Sequence, residues 1–212
     1  MRITYEHELE ELNKCLRDMA MMVEKAIEQT FVAFEDQNYT MAEDVIKGDR
    51  NVNDMERAIE SRCLSLILRQ QPVAKDLRQI STALKVVTDL ERIGDHAMNL
   101  AGYAKDLKEW DLSFSEVALE EIEEMKKQSL AALELVKNEE GSDLAKMIFE
   151  AGAAEQQIDD LRDKYFKKQM QRMKKGKCKP QSGIIFTEML TDFERMGDHV
   201  KNIAQQYKQM SE

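Results

Sequence analysis

Apolar residues recur every three or four positions through most of the chain, which is the period of an amphipathic α-helix. Six helical segments follow from this pattern, at about 4–37, 40–70, 73–109, 116–138, 143–174 and 183–210. Pro72 and Pro180 stand at the same point of each half, between its second and third segment. Helices in water are stable mainly when an apolar face is buried, so the pattern predicts a packed all-α fold.

Turn and capping residues separate the predicted helices. Residues 36–38 end the first helix and residues 138–141 end the fourth. Ser115 and Ser142 each precede a helical segment and are predicted N-caps, because a serine hydroxyl accepts a hydrogen bond from a free backbone N–H. Residues 174–182, which include the second proline, are predicted to form a loop.

One fourteen-residue segment occurs twice. Residues 88–101 read TDLERIGDHAMNLA and residues 191–204 read TDFERMGDHVKNIA, and nine of the positions are identical. Four others exchange one apolar residue for another, and only Met98 to Lys201 changes character. A repeat at a fixed offset indicates a duplicated architecture. We predict two tandem three-helix bundles, at 1–109 and 110–212, with one continuous six-helix bundle as the alternative.

The acids of the repeat lie on one face of the third helix of each half. Because an α-helix turns about 100° per residue, Glu91 and Asp95 share a polar stripe opposite the apolar face. Glu194 and Asp198 do the same in the second half. Like charges four residues apart are mildly destabilising, and a cation that bridges the two carboxylates would remove the repulsion.

A similar spacing recurs on the second helix of each half. At an offset of 106 residues, Asp49 aligns with Glu155 and Asn53 with Asp159, with their apolar neighbours in phase. Antiparallel second and third helices would then gather four oxygen donors, which suit hard and borderline cations. The candidate metal ligands are Asp49, Asn53, Glu91 and Asp95 in the first half and Glu155, Asp159, Glu194 and Asp198 in the second. Because Asn53 is neutral, we expect the second half to bind metal more tightly.

The other polar residues of the repeat have different predicted roles. His96 and His199 point about 100° away from the centre of the acidic stripe. We therefore favour hydrogen bonds between helices for them over metal ligation. Asp89 and Asp192 are predicted to support the metal ligands or to lie on the bundle surface.

Several of these motifs resemble the PhoU family of phosphate-uptake regulators. They are the repeated E-R-[IM]-G-D-H, the D-x-x-V-N and E-x-x-I-D segments, and the lead-in DLRQI-x-x-x-LK at residues 76–85. The resemblance covers nearly the whole chain. It implies two three-helix bundles, each with a metal cluster on its E/D-x-x-x-D pairs. It also implies a cytoplasmic negative regulator of the phosphate-starvation response that works with the ATPase subunit of the phosphate ABC transporter and a phosphate-sensing histidine kinase.

Composition narrows the possible partners. The net charge of −10 argues against nucleic acid, because contacts with phosphates need a basic face. The three cysteines are far apart and form no C-x-x-C pair, which is typical of reduced thiols. No run of 18 apolar residues and no signal peptide is visible. We therefore expect a cytoplasmic protein that meets a membrane only peripherally, through partners or a surface patch, and a homodimer.

Two further segments suggest specific roles: the basic end of the fifth helix and the connector between the halves. Residues 164–179 hold eight basic residues and no acid. We interpret them as a cationic helix end, with a patch for anionic lipid or an acidic partner as the alternative. Trp110 and Phe114 are predicted to fill the space between the halves.

The sequence contains no catalytic triad and no phosphate-cradling glycine loop, so we predict a non-enzymatic protein. Two alternatives are a carboxylate-bridged di-metal protein of the ferritin-like type and a purely structural helical scaffold. Ferritin-like sites need Glu-x-x-His facing the bundle interior. Here Gly94 and Gly197 stand three residues after Glu91 and Glu194. Among metals, iron, manganese, zinc and magnesium all remain open.

Overall fold

The computed structural model of the chain describes residues 2–35, 39–70, 72–137 and 143–211. These residues form α1 (Arg2–Glu35), α2 (Tyr39–Gln70), α3 (Ala74–Glu109), α4 (Glu116–Val136), α5 (Leu144–Lys174) and α6 (Pro180–Ser211). The described part of the chain contains no strand, so the predicted all-α class is confirmed. The breaks predicted at 36–38 and 138–141, and the cap at Ser142, lie outside the described residues.

The helix ends follow ordinary capping chemistry. Ser115 caps α4 as predicted, since its hydroxyl accepts a hydrogen bond from the N–H of Ala118 at 3.3 Å. Asp143 caps α5 in the same way. The loop predicted at 174–182 is shorter than expected, because Pro180 is already the first residue of α6. Proline suits that position, where its missing N–H would have no helical partner and its φ angle is already helical.

Each half is a bundle in which all three helices pack against one another, as predicted: α1, α2 and α3 in the first half, and α4, α5 and α6 in the second. The two bundles join mainly where α3 packs along α6, with a smaller contact between α1 and α4. One cluster of buried apolar side chains extends through both halves. Phe31 and Phe193, with ring centroids 5.8 Å apart, belong to it. The division between residues 109 and 110 stays a prediction.

The two glycines of the repeat mark close helix contacts within each half. A Cβ atom on Gly94 would lie 3.1 Å from Cγ1 of Val52, and one on Gly197 would lie 3.2 Å from Cδ1 of Ile158. Both glycines therefore let α3 or α6 approach the second helix of its own half. Val52 and Ile158 are 106 residues apart, so the alignment between α2 and α5 is confirmed.

The connector between the halves differs in part from the prediction. Phe114 is partly buried and packs edge-on against Phe186, with centroids 5.8 Å apart. Trp110, by contrast, is 53% exposed, so its predicted role as filler between the halves is wrong. It follows the last residue of α3, where the chain turns towards α4 and the side chain stays on the surface.

Candidate functional site

The first half gathers its predicted ligands into one group, which we call the first carboxylate cluster. It consists of Asp49, Asn53 and Glu56 on α2 and Glu91 and Asp95 on α3. Burial, followed by the neighbouring carboxylate of Asp95, raises the pKa of both Asp49 and Glu91. Burial and nearby carboxylates also raise the pKa of Glu56, which the sequence did not single out. These acids therefore repel one another across the α2–α3 contact.

One oxygen of this cluster is left without a hydrogen bond. The side-chain amide of Asn53 donates to Oδ2 of Asp49 at 2.8 Å. The other oxygen of the same carboxylate, Oδ1, is buried and has no hydrogen-bond partner. A buried acceptor without a partner costs free energy, and a water molecule, a proton or a cation would remove that cost.

The second half forms an equivalent group, the second carboxylate cluster, which consists of Glu155, Asp159, Glu194 and Asp198. Burial and the three other acids raise the pKa of Asp159, and its Oδ1 is also buried without a hydrogen-bond partner. Three bases pair with acids of this cluster, and Nη1 of Arg195 lies 3.6 Å from Oδ2 of Asp198. The Nζ of Lys201 donates to Oε1 of Glu155 at 2.8 Å, and the guanidinium of Arg162 lies 3.2 Å from Glu194.

The two clusters therefore differ in charge. Lys201 stands where the first half has Met98, and Arg162 stands where it has Glu56. Within the described residues, no ion pair reaches an acid of the first cluster, although the positive charge of Arg92 lowers the pKa of Glu91 in part. The second cluster is paired directly with bases, whereas the first is offset only by Arg92 and Arg57 at longer range.

Neither cluster is a preformed metal cage. Across the ranges that the structure describes, no group of three or more His, Cys, Asp or Glu side chains is arranged to hold a metal ion. The carboxylates share a surface, but their oxygens do not converge on one point. The metal role of the eight predicted ligands therefore stays a prediction.

The histidines of the repeat, together with Asp89 and Asp192, join the two halves. His96 Nδ1 lies 2.7 Å from Oδ1 of Asp192, and His199 Nδ1 lies 2.8 Å from Oδ1 of Asp89. The two imidazole rings stack with their centroids 5.7 Å apart. The hydrogen-bonding role predicted for the histidines is confirmed. The role predicted for Asp89 and Asp192 is wrong, because both are buried between α3 and α6 and accept from a histidine of the other half.

Comparison with known proteins decides the family. The family model described as the PhoU domain matches this chain twice, at residues 16–104 and 118–207. The chain belongs to the PhoU family. Among curated members, a PhoU homolog from Clostridium acetobutylicum is 35% identical, with 96% of this chain and 92% of that protein covered. A second, from Thermotoga maritima, is 29% identical, with 96% and 87% covered.

Solved PhoU structures have the same fold. The crystal structure of PhoU from Pseudomonas aeruginosa matches with a TM-score of 0.88 at 27% identity, covering 98% of both chains. The phosphate transport system regulatory protein PhoU from Streptococcus pneumoniae matches with a TM-score of 0.86 at 25% identity, covering 98% of this chain and 96% of that one. Both curated relatives carry the name phosphate-specific transport system accessory protein PhoU homolog. None of the described helices is long and apolar enough to cross a bilayer.

Sequence reasoning missed three charged residues of these two PhoU domains, namely Glu56, Arg162 and Lys201. A signal for each was present. Lys201 is the one position of the repeat that changes character, and the offset of 106 pairs Glu56 with Arg162. The aligned carboxylates alone suggested two similar clusters, because the bases that distinguish them lie just outside the acid-x-x-x-acid pairs.

Proposed function

We propose that this chain is a non-enzymatic, metal-binding regulator of phosphate uptake. It acts as an adaptor between the phosphate ABC transporter and a phosphate-sensing histidine kinase, and it represses the phosphate-starvation response. The observation that carries the proposal is the match to an accessory protein of phosphate-specific transport, at 35% identity over 96% of the chain. The proposal implies a cytoplasmic location beside the transporter ATPase and a homodimer as the assembled form.

Co-purification tests the adaptor role directly. The tagged protein is expected to retain the ATPase subunit of the transporter from its own cell extract, and the purified pair is expected to reassociate. Deletion of the gene is expected to raise alkaline phosphatase expression in phosphate-rich medium. Unchanged expression and unchanged phosphate uptake in the deletion strain would contradict the proposal.

The donor set of the first carboxylate cluster fits a hard or borderline cation such as iron, manganese, zinc or magnesium. Support comes from the buried, unpaired Oδ1 of Asp49 and from the mutual repulsion that raises the pKa of Glu91. Elemental analysis of protein purified without chelator tests this assignment. Metal is expected in the wild type and is expected to fall in the Glu91→Gln, Asp95→Asn variant, whereas equal metal in both would refute it.

The first half is expected to bind metal more tightly than the second, which is the reverse of the sequence-based prediction. That prediction compared Asn53 with Asp159 and favoured the second half. The ion pairs of Lys201 and Arg162 with acids of the second cluster now favour the first half, because a metal ion would have to displace these bases or bind beside their charge. We therefore propose the first cluster as the stronger cation site.

The geometry counts against the ferritin-like alternative. Such a site needs a histidine three residues after its glutamate, and here that position is Gly94, packed against Val52. Gly197 occupies the same place in the second half, packed against Ile158. A side chain at either position would press against these neighbours, so a carboxylate-only site is favoured over an oxidase centre.

A further inference from the structure

A concentrated positive charge lies at one end of the molecule, where α5 ends and α6 begins. The chain has a net charge of −10, yet residues 164–179 hold eight bases and no acid. Four lysines at the turn itself are exposed, and we call them the tip lysines: Lys174, Lys175, Lys177 and Lys179. The connector 110–115 lies beside this turn, since Ser113 and Phe114 line a depression of about 250 Å³ together with Lys177.

Most of the charge of the tip lysines is not neutralised internally. Further back on α5, Lys168 and Arg172 both bind the buried carboxylate of Glu121, at 3.1 and 2.7 Å. At the tip, by contrast, Lys179 donates only to the backbone carbonyl of Asp111, at 3.1 Å. The other three tip lysines make no ion pair with any carboxylate of the described residues. The nearby acids of the connector and of the first turn of α4, Asp111 and Glu116, are fewer than the tip lysines.

Exposed apolar side chains lie among these lysines. Trp110 is 53% exposed and lines a depression of about 360 Å³ with Lys179 and Gln181. Val117, also 53% exposed, lines a neighbouring depression with two of the tip lysines. Ile184 is 53% exposed and follows Gln181 by one turn of α6. Lysines surrounding a tryptophan and aliphatic side chains are typical of surfaces that enter the membrane–water interface.

We propose that this end of the molecule binds the surface of a bilayer that contains anionic phospholipid. The tip lysines contact headgroup phosphates, and the indole of Trp110 enters the interface, where tryptophan is enriched. The chemistry of the bases favours lipid over an acidic protein. Arginine pairs carboxylates in a fixed two-pronged geometry, and the one arginine of residues 164–179, Arg172, already binds Glu121. The exposed bases are all lysines, whose flexible point charges suit a mobile layer of phosphates.

The overall negative charge does not prevent this approach. Glu155 of the second carboxylate cluster is 19 residues before Lys174, the last residue of α5, which is a distance of about 28 Å along the axis. Salt screens charges beyond about 8–10 Å at physiological ionic strength. The acidic part of the molecule is therefore screened from a membrane that touches its basic end, and the charge distribution orients the chain with α5 pointing at the bilayer.

The single tryptophan of the chain allows a direct test. The full-length protein is titrated with vesicles of phosphatidylcholine and phosphatidylglycerol in equal parts, and with vesicles of phosphatidylcholine alone. We expect the emission of Trp110 to shift to the blue and become accessible to a quencher on the lipid acyl chain only with the anionic vesicles. Concentrated salt is expected to reverse the shift. No shift with anionic vesicles at low salt would overturn the proposal, as would an equal shift with both kinds of vesicle.

A charge-reversal variant with a matched control locates the surface. Replacing Lys174, Lys175 and Lys177 by Glu is expected to weaken vesicle binding by at least about tenfold. The control replaces three exposed lysines elsewhere, Lys14, Lys47 and Lys75, by Glu and is expected to bind like the wild type apart from a small loss from net charge. Equal losses in both variants would refute the assignment to this end. Co-sedimentation without a change at Trp110, or binding to polyglutamate but not to vesicles, would also overturn it.

Discussion

Replacing Lys201 by Met gives the second carboxylate cluster the residue that the first cluster has at this position, Met98. In the wild type, Nζ of Lys201 lies 2.8 Å from Oε1 of Glu155 and adds a positive charge to the acids around it. Removing it leaves those acids without this counter-charge. We therefore expect the Lys201→Met variant to bind a divalent cation more tightly in its second half.

The size of the effect follows from Coulomb's law. A divalent ion bound to the free oxygen of Glu155 would stand about 5 Å from the ammonium group of Lys201, given metal–oxygen distances near 2.4 Å. At the dielectric constant of water, the repulsion between these charges is about 1.7 kcal/mol, which corresponds to more than a tenfold change in affinity. The lysine side chain is 38% exposed, so the water value is the appropriate lower bound. Partial burial of the cluster increases the effect.

Calorimetric titration with Mn²⁺ measures this change in chelator-stripped protein. The first cluster is disabled by Glu91→Gln and Asp95→Asn, so that only the second responds. A matched control, Lys105→Met, removes the same charge from a lysine that pairs with Glu43, away from both clusters. An affinity that rises equally in the control, or that does not change in Lys201→Met, would refute the reasoning.

Three further predictions concern stability. Gly94→Ala is expected to cost about 1 kcal/mol in urea denaturation, because overpacking against Val52 outweighs the gain in helix propensity; a loss that Val52→Ala does not reduce would contradict this. Asp192→Ala is expected to cost about 2–3 kcal/mol by leaving His96 unpaired between α3 and α6, whereas an unchanged midpoint would exclude the contact. The third prediction applies to protein in the presence of a chelator. Asp49 and Glu91 have raised pKa values and so bind protons more tightly in the folded state. Their contribution therefore makes the free energy of unfolding fall as the pH rises above their ordinary pKa values of 3.8 and 4.5. Glu91→Gln is expected to reduce that slope, and an equal slope would contradict the assignment.

Much of the fold could be predicted because the helical period and the repeat are both local signals. The six helices lie where the apolar pattern placed them, and the offset between α2 and α5 is confirmed by Val52 and Ile158. The start of α6 was missed because proline is read as a helix terminator, yet Pro180 occupies the first helical position, where it is favoured. Local signals of this kind predict where each helix lies along the chain, but not which other helix packs against each of its faces.

The contact between the halves could not be predicted for that reason. The sequence suggested only that Asp89 supports the metal ligands or lies on the bundle surface, because an acid is normally exposed. Only the packing of α3 along α6 buries it and supplies His199 as its partner. The same limit applies to the clusters. The helical wheel indicated a shared acidic surface, but only the packing of α5 against α6 brings Lys201 and Arg162 onto the acids of one copy.

The distribution of identical and altered positions in the repeat follows from these two contacts. Asp89 with His199 and Asp192 with His96 are one contact made twice, so a change in one copy would break one of two equivalent hydrogen bonds. The aspartate and the histidine of the repeat are therefore expected to stay identical in the two halves. Lys201 faces the second helix of its own half, where it binds Glu155, and no symmetry restricts it. Among the polar positions of the repeat, the halves therefore differ on the side of the carboxylate clusters, which is where the difference in charge arises.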